Sequence, residues 1–293
     1  MTHRFKRIQV IINPAAGGDE PVLNTLNDVF KEHDIHWDVA ITHKRGDGQR
    51  LAQQAVEAGV DLVAAYGGDG TQMDVAGGLA GTGTPMAILT GGTGNAKAAE
   101  LGIPQDLKGA AELLCGDAYR VRQIDVGQID GTAFLLRAGV GFEADVTARA
   151  DRELKDRFGV FAYAIGIMES IARPETVDYR LTLDGEVVER TGFSLIIANG
   201  GGIGTLNLSL PYYVATDDGL LDVFVLDSPL TMAASMTGLD EIVTALQHWQ
   251  VREVEVVATP AQRAQADGEL LGETPVTATV LPRALHIVTP RED

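Results

Sequence analysis

Over the first hundred or so residues, short apolar runs alternate with amphipathic stretches. Ile8–Ile12, Trp37–Thr42, Leu62–Tyr66 and Pro85–Leu89 read as strands. Between and after them, Pro21–Glu32, Asp47–Ala58, Thr71–Leu79, Ala96–Leu101 and Leu107–Leu114 read as helices, with Pro21 suited to a first turn. This rhythm predicts a parallel sheet covered on both faces. Ligands on such sheets gather at the carboxyl ends of the strands. Three glycine loops fall at such ends: Asn13–Asp19, Gly67–Gly70 and Gly91–Asn95. They are expected to form one site.

From about Tyr119 the texture changes to strand-like runs: Arg122–Ile129, Thr132–Ala138, Val177–Leu183, Phe193–Ala198, Asp222–Leu226, Arg252–Val257, Pro275–Val280 and Leu285–Thr289. Asp130-Gly131 and Asp184-Gly185 lie between such runs as tight hairpin turns. Two helical patterns interrupt, Arg157–Ile171 and Thr231–His248. The expected architecture is an α/β domain with a parallel sheet over residues 1–120, then an antiparallel β-sandwich or layered sheet over 121–284. The last residues, about 285–293, are free to return to the first domain. A length of 293 residues suits two domains, and no Pro/Gly/Ser linker separates them.

Composition narrows the functional classes. The formal charge of −18 argues against nucleic acid as a partner and against long-range attraction to an anionic membrane. A single cysteine, Cys115, excludes a disulfide within the chain and leaves a thiolate metal site short of ligands. The six histidines show no zinc spacing. No signal peptide or bilayer-spanning stretch is visible, so a cytoplasmic protein is expected. Phe158–Met168 is an apolar helix candidate, suited either to core packing or to apolar contact with a membrane.

The chemistry sits in the loops. In Tyr66-Gly67-Gly68-Asp69-Gly70-Thr71, a strand end runs through glycines into a helix start. Unpaired backbone donors and the positive helix end favour a phosphate there. Asp69 would repel that phosphate unless it works through a divalent cation, or through hydrogen bonds that aim the loop. Asn13-Pro14-Ala15-Ala16-Gly17-Gly18 is a second phosphate candidate, Asn13 fixing the turn. Gly91-Gly92-Thr93-Gly94-Asn95 adds a hydroxyl and an amide, with Asn95 also placed to cap the next helix. The loops carry no lysine, and neither the Walker nor the Rossmann spacing is present.

Taken in order, these motifs resemble the bacterial lipid kinases of the diacylglycerol kinase catalytic-domain family, relatives of the sphingosine kinases. The resemblance runs through Asn13–Gly17, Gly67–Thr71 and Gly92–Asn95, then Asp125-Val126-Gly127, Gly139–Ala144 and Asp217–Asp222, and closes on Asp267-Gly268-Glu269. It implies a nucleotide cleft between an N-terminal α/β domain and a C-terminal β-sandwich. Asn13, Pro14, Ala15, Ala16, Gly17, Thr42, Gly67, Gly68, Asp69, Gly70, Thr71, Gln72, Asp74, Gly92, Thr93 and Asn95 would line an ATP site. Asp218, with carbonyls of Ala215 and Leu220, would match a structural magnesium site. Glu269 would be the general base, with Asp267 as partner or rival, and Asp125 would help join the base region to Asp69.

The chain departs from the family at Ala96, where an aspartate often follows the asparagine, and at Gln72-Met73-Asp74, where a Leu-Asn-Glu run is common. The reading that follows is ATP- and magnesium-dependent phosphorylation of a lipid hydroxyl, diacylglycerol first among candidates. GTP as donor stays open. The expected protein contacts the membrane transiently and is compatible with a homodimer. Its rivals are an NAD-type kinase on a soluble acceptor and a nucleotide- or lipid-binding sensor without turnover.

Overall fold

In a computed structural model, residues 5–92, 94–142, 144–145, 176–200, 202–203, 208–209, 214–227 and 247–291 are described. The chain divides into one unit of Met1–Val126 with Arg283–Asp293, and another of Gly127–Pro282. The division falls after the expected residue 120, because the long fifth strand begins in the first unit.

The first unit alternates strand and helix: β1 (Arg7–Ile12), α1 (Val22–Glu32), β2 (His36–Ile41), α2 (Asp47–Glu57), β3 (Leu62–Gly67), α3 (Asp69–Leu79), β4 (Met86–Thr90), the short α4 (Ala96–Glu100), α5 (Leu107–Leu113) and the start of β5 (Tyr119–Ile129). The four strands β1 to β4 lie parallel in the order β2-β1-β3-β4. β3 and β4 are buried along their whole length, as strands covered on both faces must be. α1 packs with α5, and α2 with α3. The α2–α3 crossing is close because it is built on glycines. A Cβ on Gly78 would lie 2.9 Å from the Ala52 Cβ, and one on Gly48 would lie 2.7 Å from the Asp74 Cβ. Helix α3 starts two residues before the expected Thr71, because the Gly68 carbonyl already accepts from Thr71 N and Gln72 N.

The second unit is an antiparallel sandwich. It holds the end of β5, β6 (Thr132–Phe134), β7 (Arg137–Gly141), β8 (Val177–Leu183), β9 (Glu186–Gly192), β10 (Ser194–Ala198), β11 (Gly202–Ile203), β12 (Leu208–Ser209), β13 (Leu221–Leu226), β14 (Gln247–Val251), β15 (Glu253–Thr259), β16 (Arg263–Ala266), β17 (Glu269–Glu273) and the first part of β18 (Val276–Pro290). One sheet runs β14-β13-β10-β7-β16-β17. Against it pack β8, β15 and β18, burying Tyr179, Leu181, Val254, Val256, Val276 and Ala278 over Val140, Leu195, Ile197, Val223 and Ala264.

Four expectations change. The run Thr132–Ala138 is two strands, because Leu135 N and Leu136 N leave the ladder and donate to the Asp267 carboxylate. Pro275–Val280 and Leu285–Thr289 are one strand, β18, in which Arg283 turns to φ 49° and donates its amide to Asp125. Gln247 and His248, expected to end a helix, pair with Val225 and Phe224 in the sheet. Strands β9, β14, β16 and β17 escaped the pattern: β9 and β17 are largely exposed, and β16 reads Arg-Ala-Gln-Ala, a poor strand sequence held by its neighbours. The rest of the expected helix Thr231–His248, the helix Arg157–Ile171 and the apolar stretch Phe158–Met168 lie outside the described residues. Among the described residues no helix is long and apolar enough to cross a membrane.

Valine at Gly78 should overpack the α2–α3 crossing and cost about 1–3 kcal/mol in urea denaturation. Alanine at Gly116, whose nearest neighbour to an added Cβ is 3.9 Å away, should stay within about 0.5 kcal/mol of the unchanged protein.

Candidate functional site

The strand order places β1 between β2 and β3, so the chain leaves β1 for β2 on one side and returns to β3 on the other. That point, at the carboxyl ends, is where open α/β sheets leave a crevice. The first glycine loop follows β1 and the second follows β3, one on each side of it. The third follows β4 next door.

Hydrogen bonds tie these loops together. Asn13 donates its backbone N–H to Tyr66 O (3.0 Å) and its Nδ2 to Thr71 Oγ1 (3.1 Å), while its Oδ1 accepts from Ala15 N (3.0 Å). One side chain thus shapes the first loop and fastens it to the second. Thr42 stands beside it, donating its N–H to Ile12 O at 2.9 Å. Gln72 Nε2 donates to Gly67 O at 3.3 Å and lies 3.5 Å from Asn95 Oδ1, joining the second loop to the third. The second and third loops also touch backbone to backbone. A Cβ on Gly92 would fall 2.5 Å from the Gly68 Cα. The expected convergence of three loops therefore holds within the first unit. Thr93 lies outside the described residues.

Asp69 takes the loop-aiming role. Its Oδ1 accepts from Ala96 N at 2.8 Å, and the Lys97 amide also donates to the carboxyl. It thereby caps α4 from another loop. Asn95, expected to be that cap, instead sits at φ 47° and folds back on Gly92, donating Nδ2 to Gly92 O at 2.8 Å. Burial pushes the Asp69 carboxyl above its ordinary value, and the amides of Ala96, Lys97 and Asp69 itself pull it partly back. Asp74, expected at the nucleotide, accepts from Gly46 N at 2.9 Å and so braces the loop before α2; burial raises its carboxyl too.

Lys97 carries no local signal of burial. Its Lys-Ala-Ala-Glu setting looks like a solvated helix pair, yet the side chain is 1% exposed and donates to Glu100 Oε1 at 3.0 Å. Asp125 is fully buried and accepts from Arg283 N at 2.6 Å, so it anchors the turn within β18.

In the second unit, Asp267-Gly268 is a hairpin turn with φ 44° and 83°, joining β16 to β17. Asp130-Gly131 (47°, 80°) and Asp184-Gly185 (46°, 92°) repeat the same geometry. In all three the aspartate reaches backbone amides of another segment: Asp130 takes Thr277 N, Asp184 takes Arg252 N and Glu253 N, and Asp267 takes Leu135, Leu136 and Arg137 N at 2.7–3.1 Å. Both Asp267 oxygens are committed to amides. Burial raises this carboxyl above its ordinary value, against the pull of those amides.

Residues 215–220 form a turn in which Asp218 Oδ1 accepts from Leu220 N at 3.0 Å. One carboxylate with peptide oxygens is a hard donor set that fits magnesium or calcium. Just beyond it, the fully buried Asp222 pairs with His248 (Nε2 to Oδ1, 2.6 Å), whose ring stacks on Phe224 at 4.6 Å. Burial raises the Asp222 carboxyl, and His248 opposes the shift. This pair spans 26 residues of sequence, and no local signal announces it.

Comparison with known proteins agrees with both units. Residues 7–129 match the diacylglycerol kinase catalytic domain, and residues 137–289 the YegS C-terminal NAD kinase beta sandwich-like domain. A Pseudomonas syringae pv. syringae protein named "Probable lipid kinase YegS-like" is 30% identical over 100% of this chain and 95% of its own. "Putative lipid kinase SH2167" of Staphylococcus haemolyticus is 27% identical, covering 87% and 86%. A crystal structure described as "a putative diacylglycerol kinase", from Bacillus anthracis str. Sterne, superposes with a TM-score of 0.84 at 26% identity, covering 99% of this chain and 97% of that one. The chain belongs to the family of YegS-like, diacylglycerol-kinase-like lipid kinases.

Asp267→Asn places an amide N–H₂ or a weaker acceptor against three backbone donors and should cost about 1–3 kcal/mol in denaturation. The pH behaviour of Asp69 has a definite sign. A carboxyl raised on folding contributes stability that is full below the ordinary value of 3.8 and is lost as pH rises through the folded value. Unfolding free energies measured by urea from about pH 4 upward should therefore fall less steeply in Asp69→Asn than in the unchanged protein.

Proposed function

We propose that this protein transfers the γ-phosphate of ATP, with magnesium, to the hydroxyl of a lipid, diacylglycerol first among candidates. The observation that carries the reading is the joining of three glycine loops at the strand-order switch, where backbone amides, hydroxyls and side-chain amides meet without a lysine in the loops. Such a surface suits a polyphosphate held by peptide donors. Asn13, Thr71 and Gln72 keep the loops in register, and Asp69 holds the third loop by its amides. Glu269 accepts the proton of the attacking hydroxyl, with Asp267 fixing the turn that presents it. Magnesium, when bound, offsets the charge of the transferred group; Ala215, Asp218 and Leu220 would hold a separate structural ion. Most of the rate then comes from positioning and charge neutralisation. Family membership supports a lipid acceptor, which an acidic surface would meet through apolar contact rather than through attraction to anionic headgroups.

Labelled ATP with magnesium and a panel of lipid and soluble acceptors tests this directly. Label in the organic phase is expected; label on a soluble acceptor, or nucleotide binding without transfer, overturns the lipid-kinase reading. Glu269→Gln should lower kcat by at least about 10²-fold at unchanged melting temperature. Equal turnover in that variant would remove Glu269 from the mechanism.

A further inference from the structure

Tyr66 is the one aromatic in β3, next to its last residue, and is 1% exposed. Its side chain touches both the first and the third loop. The hydroxyl donates to Glu20 Oε2 at 2.7 Å, at the end of the first loop. The same hydroxyl lies against Gly17, where any Cβ would collide with it. On its other side the ring lies under Gly91. A Cβ there would fall 2.5 Å from the Tyr66 Cζ and 2.6 Å from Cε2, and its three nearest atoms all belong to this ring. The Tyr66 carbonyl meanwhile holds Asn13 N at 3.0 Å. Burial, then the Glu20 carboxylate, push the hydroxyl well above its ordinary value, so it remains a donor.

A site built from backbone amides has no long side chains to adjust, so its affinity depends on where the loops stand. A rigid ring with few torsions is suited to fixing such a distance. We propose that Tyr66, latched to Glu20, is a positioning residue that sets the spacing of the first and third glycine loops and through it the affinity for the nucleotide's phosphates. The affinity half of this proposal rests on the nucleotide reading above; the spacing half does not.

The test uses the full chain with Tyr66→Phe, Gly91→Ala and the double variant Gly91→Ala/Tyr66→Leu. Amide hydrogen exchange is followed over residues 13–20 and 91–96 without nucleotide, and ATP affinity is measured by calorimetry alongside KM, kcat and melting temperature. Tyr66→Phe keeps the ring and loses only the latch. It should speed exchange over 13–20 and raise the Kd and KM for ATP about three- to tenfold, with kcat within about twofold. Gly91→Ala should do the same through the ring clash, and the double variant, with neither ring nor latch, should bind ATP no better than either single variant. Unchanged exchange and affinity in Tyr66→Phe, or a double variant that exchanges and binds as the unchanged protein does, would overturn the proposal. If the unchanged protein binds no ATP, the nucleotide reading and the affinity half fail together, while the exchange data still decide the spacing half.

Discussion

Backbone packed directly on backbone is the constraint from which the first unit's site follows. Gly68 and Gly92 meet with no room for a Cβ at Gly92, and Gly91 lies flat on the Tyr66 ring. A Cβ at Gly91 or Gly92 would collide with Tyr66 or Gly68 and force the loops apart. Because they are bare, peptide groups from three strand ends reach one surface. The side chains that remain nearby are spent on holding that surface: Asn13 on Thr71, Gln72 on Gly67, and Asp69 on Ala96.

This changes how the acids should be understood. Asp69, Asp74, Asp125 and Asp267 each accept backbone amides from a different segment. A carboxylate accepts several N–H groups at once, which makes it a strong local fastener. Burial works against this by favouring the neutral acid, and for Asp69, Asp74 and Asp267 it outweighs the amides. In a chain of formal charge −18, acids enclosed by amides add structure without adding to a repulsive exposed field.

In the second unit the same Asp-Gly device appears at three hairpins, and its repetition is informative. Asp267 does what Asp130 and Asp184 do. Asp184-Gly185-Glu186 repeats even the glutamate of Asp267-Gly268-Glu269, so the tripeptide alone marks a turn and not a site. In each turn the aspartate supplies a frame for the backbone of another segment.

Sequence alone determined the alternation of elements, the parallel and antiparallel halves and the three loops at strand ends. These follow from hydrophobic period and from glycine, which act over a few residues. It also contained the Asp-Gly turns, whose positive backbone angles are a local demand. Tertiary structure decided the partners. The capping of α4 by Asp69 rather than Asn95 joins positions 27 residues apart, the Tyr66–Glu20 latch 46, and the Asp267 cradle about 130. Burial of Lys97, and strand formation by the helix-like Arg263–Ala266, likewise depend on neighbours brought in by the fold. Periodicity records which face of an element is apolar, but a polar side chain's partner is set by where distant segments come to rest, and no local pattern encodes that distance.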